Sequence, residues 1–245
     1  MKKIFVTSDI HGHIKHLEQL LTNWDTADQL VILGDLIDRG PESLTVIRKV
    51  MALCEQYGDQ VLFIKGNHED MLINFLNAPF EKQENYYRNG GLETLASFFK
   101  PLQLDIPSSL EEVVELISTH YSKELSFIEN APHVYTIGNI LFTHAGFNSS
   151  FADYTQTTER EFIWIRKHYE TPNLTPFVNI FGHTPIKYIN GQHDILVNQE
   201  KNYIAIDGGC YMTGQLNGIE LYENGEIAKQ YKVNIPLTEG GNRYD

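Results

Sequence analysis

The sequence predicts an α/β fold in a single domain that spans residues 1–245. In the first half of the chain, short apolar and β-branched runs alternate with helical patterns. Strand–helix–strand alternation of this kind implies parallel strands joined by right-handed crossovers. In addition, five of the apolar runs are each followed by a loop that contains Asp, His or Asn. Because open α/β sheets place their active sites at the carboxyl ends of their strands, these loops predict a site at one sheet edge.

The individual elements follow from the pattern. The five strands that end at these loops are predicted at Lys3–Thr7, Gln29–Leu33, Val61–Ile64, Asn139–Phe142 and Phe177–Ile180. Helices are predicted at His13–Thr22 and Glu42–Tyr57, the second directly after Pro41, a residue that favours helix starts. The pattern from Glu69 to Asn130 is mainly helical, so we expect a helical insertion at about residues 70–130, placed over the edge of the site.

The last third of the chain is rich in predicted strands. Hairpin turns are predicted at Ile137-Gly138-Asn139, Ile189-Asn190-Gly191 and Glu223-Asn224-Gly225, because Asn and Gly between apolar runs favour tight turns. The polar tail at Glu239–Asp245 is expected to be flexible.

Composition excludes some classes of function. The formal net charge of −13 argues against binding of a long nucleic acid, because such binding needs clustered Lys and Arg. No apolar run approaches the length that spans a membrane, and the chain begins without a signal-peptide pattern. Cys54 and Cys210 lie far apart and predict neither a disulfide framework nor a zinc ribbon. We therefore expect a cytoplasmic enzyme.

The five loops carry a set of residues typical of a metal centre. The candidate ligands are two carboxylates, three imidazoles and one amide: Asp9, Asp35, His11, His144, His183 and Asn67. Without a thiolate, this set suits manganese first, with iron or zinc as alternatives, better than calcium. Two such metals can lower the pKa of a bridging water and hold a phosphate, so the set predicts hydrolysis of phosphate esters. Any one of these residues alone could be a loop cap, but the six together favour a dinuclear centre.

The loops resemble the signature blocks of the phosphoprotein phosphatase branch of the calcineurin-like metallophosphoesterases. That branch has the blocks G-D-x-H-G, G-D-x-x-D-R-G, G-N-H-E, a His before two small residues, and G-H-T. They correspond here to Ser8–Gly12, Gly34–Gly40, Gly66–Glu69, His144–Gly146 and Gly182–Thr184, with Ser8 where Gly is usual. The similarity spans about residues 3–222. It implies a four-layer α/β/β/α sandwich of two mixed sheets.

The resemblance also implies a role for each matching residue. Asp9 and His11 would bind one metal, Asp35 would bridge, and Asn67, His144 and His183 would bind the other. His68 would act as the general acid, held by Asp38. Arg39 would bind the substrate phosphate together with Asn67, although a plain surface ion pair is the alternative for Arg39.

Two further segments resemble elements of bacterial and phage members of the branch. Trp164-Ile165-Arg166 resembles a Trp-x-Arg element that brings a second guanidinium to the phosphate; the alternative is a core Trp164 with Arg166 in solvent. Asn89-Gly90-Gly91 resembles a Gly pair that lets backbone pass near the cleft, and a helix-breaking turn is the alternative.

Two classes of phosphate-ester substrate fit these blocks. We expect a serine/threonine protein phosphatase acting on a phosphorylated protein, because the symmetrical bis(5'-nucleosyl)-tetraphosphatases that we regard as the alternative tend to carry a longer helical cap. The late segments Ile206–Cys210 and Gly214–Leu216 resemble both subgroups. A scaffold that kept the fold and lost catalysis is a third hypothesis, which the complete ligand set disfavours.

Overall fold

The computed structural model describes residues 3–237, in which ten strands form two five-stranded sheets. The first sheet has the strand order β10-β9-β1-β2-β3 and the second β4-β5-β6-β8-β7. The strands are β1 (Lys3–Thr7), β2 (Gln29–Ile32), β3 (Val61–Phe63), β4 (Val134–Ile137), β5 (Ile140–Thr143), β6 (Val178–Phe181), β7 (Leu196–Asn198), β8 (Tyr203–Ala205), β9 (Gln215–Tyr222) and β10 (Ile227–Asn234).

Helices cover the outer faces of both sheets. They are α1 (Ile14–Leu21), α2 (Ser43–Tyr57), α3 (Asn67–Asn77), α4 (Pro79–Arg88), α5 (Gly91–Phe99), α6 (Leu110–His120), α7 (Ser122–Glu129), α8 (Glu159–Trp164), α9 (Lys187–Asn190) and α10 (Cys210–Thr213). Helices α1 to α7 pack on the first sheet, and α8 with its neighbouring loops packs on the second. The expected four-layer α/β/β/α sandwich is confirmed. Within residues 3–237, no helix is long and apolar enough to cross a membrane.

Alternating side chains along the strands separate the layers. In β1, Ile4 and Val6 join a buried cluster between the two sheets, whereas Phe5 joins the cluster under the helices. In β5, Ile140 and Phe142 face the inter-sheet cluster and Leu141 faces α8. Because both faces of these strands are buried, each is a nearly continuous apolar run, and such runs are what made the strands recognisable in the sequence.

Parallel pairing brings the carboxyl ends of the central strands together. Strands β1, β2 and β3 are parallel neighbours in the first sheet, and β5 and β6 are parallel neighbours in the second. All five strands predicted before the polar loops are confirmed, with ends that differ by at most one residue. The loops after these five strands therefore meet across the space between the two sheets.

Two of the three predicted hairpin turns are confirmed, and one is wrong. Strands β4 and β5 pair around Gly138, and β9 and β10 pair around Asn224-Gly225. By contrast, Asn190 is the last residue of the short helix α9, and Gly191 ends that helix with a φ of +79°. An Asn–Gly pair supplies the left-handed backbone that a helix end needs as readily as the one a hairpin needs, which explains the error.

The segment between β3 and β4 consists of the five helices α3 to α7 and a 3-10 turn at Lys100–Leu102. Hydrophobic side chains of all five helices pack in the same cluster as those of α1 and α2. This segment therefore stands beside the loops that follow β1 and β2. The tail predicted to be flexible lies outside the described residues.

Candidate metal centre

The loops after the five strands gather the predicted ligands in one buried space. The Nε2 atoms of His11 and His144 lie 3.7 Å and 3.4 Å from Oδ2 of Asp35. Oδ1 of Asn67 lies 2.9 Å from Nε2 of His144 and 2.7 Å from Nδ1 of His183. All five side chains are at most 5% exposed. Their ligand atoms converge on Asp35 and Asn67 from both sheets.

Two triplets of ligand atoms are close enough to hold a metal ion each. Among the described residues, one triplet is His11, Asp35 and His68, the other is Asp35, His144 and His183, and within each the ligand atoms lie within 4.8 Å of one another. Asp35 belongs to both, as a bridging carboxylate would. The geometry thus supports two cation positions that share one side chain.

Asp9 lies beside this space in a different arrangement. Its carboxylate accepts the backbone N–H of His183 at 3.0 Å and 3.1 Å, and the hydroxyl of Ser8 donates to it as well. Burial raises the pKa of Asp9 to about 6. Asp9 belongs to neither triplet of described residues, so its role as a ligand stays a prediction.

Hydrogen bonds at the far side of the rings fix the metal-facing nitrogen of two histidines. Nδ1 of His11 lies 2.8 Å from the carbonyl oxygen of Ile37, and Nδ1 of His144 lies 2.7 Å from that of Leu33. A carbonyl only accepts, so each Nδ1 carries the proton and the neutral ring offers the Nε2 lone pair to a metal. Both histidines are thus oriented as metal ligands usually are.

The electrostatics of the centre favour a bound cation. Although burial opposes it, the negative charges of Asp35 and Asp9 raise the pKa of His144 to about 9. Nε2 of His144 lies 3.4 Å from Oδ2 of Asp35 and 2.9 Å from Oδ1 of Asn67. A divalent ion among these atoms would balance buried carboxylates that are otherwise costly to keep charged. The donor set therefore fits divalent metals.

His68 and Asp38 form a separate buried pair at the rim of the centre. Nδ1 of His68 lies 2.7 Å from Oδ2 of Asp38, and both side chains are at most 2% exposed. Nε2 of His68 faces Oδ2 of Asp35 at 3.9 Å. Burial lowers the pKa of His68 to about 3, against the charge of Asp35, which raises it. His68 can therefore either bind a metal or face a substrate.

The two predicted phosphate-binding arginines both lie beside residues of the centre. The guanidinium carbon of Arg39 lies 3.9 Å from the ring centroid of Tyr211, and its buried Nε has no partner among the described residues. Nη1 of Arg166 donates to the hydroxyl of Thr184 at 3.1 Å, next to His183. Arg166 is an exposed residue, yet its guanidinium lies against the last metal loop.

Some supporting residues were not predicted from the sequence. Glu69 is fully buried and accepts hydrogen bonds from the backbone N–H groups of Asp35, Leu36 and Gly66 at 2.7–2.9 Å. Its position three residues after Gly66, the N-cap residue of α3, is the spacing of a capping box and could have revealed it. Tyr211 was also not predicted, because no local sequence pattern identifies a ring that stacks on an arginine as distant in sequence as Arg39.

Fold, ligand geometry and sequence comparison agree on the class of protein. Residues 2–204 match the family described as calcineurin-like phosphoesterase, and the chain belongs to this family. Bis(5'-nucleosyl)-tetraphosphatase PrpE [asymmetrical] of Anoxybacillus flavithermus is 28% identical over 89% of this chain and 90% of its own length. The protein of the same name from Bacillus subtilis is 27% identical over 89% of this chain and 90% of its length.

Solved structures resemble the whole fold. A putative diadenosine tetraphosphatase superposes with a TM-score of 0.58 at 20% identity and covers 94% of this chain and 93% of its own. A serine/threonine phosphatase from Saccharomyces cerevisiae also gives a TM-score of 0.58, at 13% identity, and covers 98% of this chain and 82% of its own. At these identities the likeness concerns the fold alone.

Proposed function

We propose that this metallophosphoesterase hydrolyses dinucleoside tetraphosphates. The observation that carries the proposal is the similarity, over about nine tenths of both chains, to relatives named bis(5'-nucleosyl)-tetraphosphatase. The family match at residues 2–204 includes all five loops of the metal centre. The similarity to the tetraphosphatases therefore extends well beyond one motif.

These relatives also weaken the case for a protein phosphatase. A longer helical cap is expected in the symmetrical tetraphosphatases than the segment at about residues 70–130 provides here. The asymmetrical enzymes match this chain over 90% of their own length, so cap length does not separate the two substrate classes. Serine/threonine phosphatase activity remains the second candidate, because the signature blocks of that branch are complete here.

In this proposal two divalent ions, with manganese as the first choice of metal, are held by the six predicted ligands: Asp9, His11, Asp35, Asn67, His144 and His183. Such ions would polarise the phosphate and activate a water molecule. Arg39 and Arg166 approach the same space as planar cations, and a guanidinium binds phosphate oxygens through two parallel hydrogen bonds. The arginines would thus orient the reacting phosphate within a chain whose net charge of −13 offers little other attraction for it.

His68 is proposed to protonate the leaving group. Asp38 at 2.7 Å from Nδ1 fixes the orientation of the ring, while Nε2 faces the centre. General acid catalysis of this type contributes about 10²–10⁴-fold in rate. The contribution should be greatest for a poor leaving group such as an alkoxide.

A substrate panel with added manganese tests the proposal. The panel compares diadenosine tetraphosphate, a phosphothreonine peptide, a cyclic nucleotide and p-nitrophenyl phosphate by kcat/KM. We expect diadenosine tetraphosphate to be the best substrate. Nucleoside mono- and triphosphate as products would indicate an asymmetrical cut, and two diphosphates a symmetrical one. A phosphothreonine peptide that is preferred at least tenfold would overturn the proposal in favour of the protein phosphatase, and no turnover of any of the four would favour the scaffold.

A further inference from the structure

Helices between the third and fourth metal loops contribute two hydroxyl groups to the His68–Asp38 pair. Oδ1 of Asp38 accepts a hydrogen bond from the hydroxyl of Thr94 at 2.7 Å and from that of Tyr86 at 3.1 Å. Thr94 lies on α5 and Tyr86 on α4, and both side chains are at most 1% exposed. The Asp38 carboxylate thus contacts His68 through Oδ2, and its other oxygen, Oδ1, is fixed by the two hydroxyl groups.

The hydroxyl of Thr94 has a fixed orientation. It accepts the backbone N–H of Asp38 at 2.8 Å and contacts Oγ of Ser43 at 2.9 Å. Since a hydroxyl has one hydrogen, and that hydrogen points to Asp38, Ser43 is the donor in the contact between the two hydroxyls. Thr94 therefore hydrogen-bonds to both the backbone N–H and the side-chain carboxylate of Asp38.

Close packing at the turn between α4 and α5 places the hydroxyl groups of Tyr86 and Thr94 next to Asp38. Gly90 accepts the backbone N–H of Arg39 at 3.2 Å. A Cβ on Gly91 would lie 2.5 Å from the ring of Tyr86, so the ring fits only against a glycine. Asp38 needs this support, because burial raises its pKa while the hydrogen bonds from Thr94 and Tyr86 lower it.

We infer that Thr94 and Tyr86 are positioning residues for the general acid. They hold the Asp38 carboxylate in the orientation that keeps Nε2 of His68 turned towards the leaving group. Helices α4 and α5 would accordingly contribute to catalysis through hydrogen bonds to Asp38. This contribution does not depend on direct contact between these helices and the substrate. The inference rests on the role proposed for His68, and it concerns which residues make that role possible.

The test is the dependence of rate on the leaving group. Thr94→Val keeps the side-chain shape without the hydroxyl, Tyr86→Phe keeps the ring, and Thr94→Ser restores a hydroxyl. Phenyl phosphate has a leaving group that needs a proton, and it is compared with p-nitrophenyl phosphate, whose leaving group departs without one. If the enzyme does not hydrolyse these monoesters, the corresponding thymidine 5'-aryl esters are used in their place. Metal content and Tm are measured for every variant.

We expect Thr94→Val and Tyr86→Phe to lower kcat on the phenyl ester by about 10-fold to 100-fold and on the nitrophenyl ester by less than about 3-fold. Both variants should keep the metal content of the wild type, and Thr94→Ser should recover most of the loss. Tyr121→Phe is the matched control, because that buried phenol bonds the carbonyl of Phe98 in the same segment, away from Asp38. It should lower Tm without changing the ratio of the two rates.

The outcomes separate this inference from the role of His68. His68→Asn is measured in parallel and should show the largest selective loss on the phenyl ester. If His68→Asn is selective but Thr94→Val and Tyr86→Phe slow both esters alike, the two hydroxyls have only a structural role and the inference is overturned. If His68→Asn itself slows both esters equally, or loses a metal ion, the acid role fails and the inference fails with it.

Discussion

At the scale of single residues, the site is marked by strained backbone. Six residues assigned to the site from the sequence have a positive φ: Asp9, His11, Asp35, Asp38, Arg39 and His183. For residues other than glycine this left-handed conformation costs about 1–2 kcal/mol each. It persists because contacts such as those of Glu69 with the Asp35 loop fix the backbone. Strain at this many neighbouring residues is typical of a functional site.

The proposed role of Arg166 can be tested by a substitution that keeps its charge. Arg166→Lys should raise KM and lower kcat, together about 10-fold or more in kcat/KM, because an ammonium cannot make two parallel bonds to a phosphate. Inhibition by inorganic phosphate should weaken to a similar extent. Arg160→Lys, an exposed arginine of the neighbouring helix α8, is the control and should change neither. Wild-type kinetics in Arg166→Lys would remove Arg166 from the site.

Another residue-scale prediction concerns pH and stability. His168 is buried with its ring centroid 4.5 Å from that of Phe181 and 5.1 Å from that of Tyr203, and burial lowers its pKa to about 3. Below its unfolded pKa of about 6.5, the unfolded chain binds a proton that the folded chain does not, so acid lowers stability until about pH 3. His168→Phe should therefore gain about 2 kcal/mol relative to wild type between pH 7 and pH 5 in denaturant unfolding. A difference that is the same at both pH values would contradict this explanation.

At the scale of elements, the turn between α4 and α5 connects the helical segment to the site. Gly90 has a φ of +96°, and a Cβ there would lie 2.5 Å from the backbone nitrogen of Arg39. Because the obstacle is backbone, Arg39 and Asp38 would have to move to make room. The close approach favours the interpretation of Asn89-Gly90-Gly91 as backbone packed on a site loop over that of a simple helix break.

Substitution of two glycines tests this contact. Gly90→Ala should lower kcat/KM by about 10²-fold, since small displacements of catalytic groups have effects of that size. Gly58→Ala is a matched control, because Gly58 also has a positive φ, +56°, yet a Cβ there meets nothing within 4 Å. The control should lose about 1–3 kcal/mol of stability and keep its activity. Equal activity of the two variants would mean that the turn does not position the Asp38–Arg39 loop.

At the scale of the whole molecule, the strands and the ligand loops were predictable because their signals are local. A buried β-branched run followed by Asp, His or Asn is visible within about ten residues of sequence, as at Lys3–His11. The contacts of Asp38 with Tyr86 and Thr94 join residues 48 and 56 positions apart, and they depend on how α4 and α5 pack. No pattern in the sequence reports that packing, so this part of the site required the structure.

The two-sheet arrangement explains why the predicted ligands come from both halves of the chain. His11, Asp35 and Asn67 come from the first sheet, and His144 and His183 come from the second. The hydrogen bond from His144 to the carbonyl of Leu33 joins the sheets at the centre itself. Metal binding should therefore stabilise the packing of one sheet on the other, besides serving catalysis.

The most direct test is the number of metal ions per chain after reconstitution with manganese and removal of excess metal, measured by mass spectrometry. The wild type should bind about two ions. His11→Ala should keep about one, and Asp35→Asn, which removes charge from both triplets, should keep fewer than one. Asp105→Asn, an exposed carboxyl away from the loops, should keep two. A wild type with at most one ion, or an Asp35→Asn variant that retains two, would contradict a dinuclear centre bridged by Asp35.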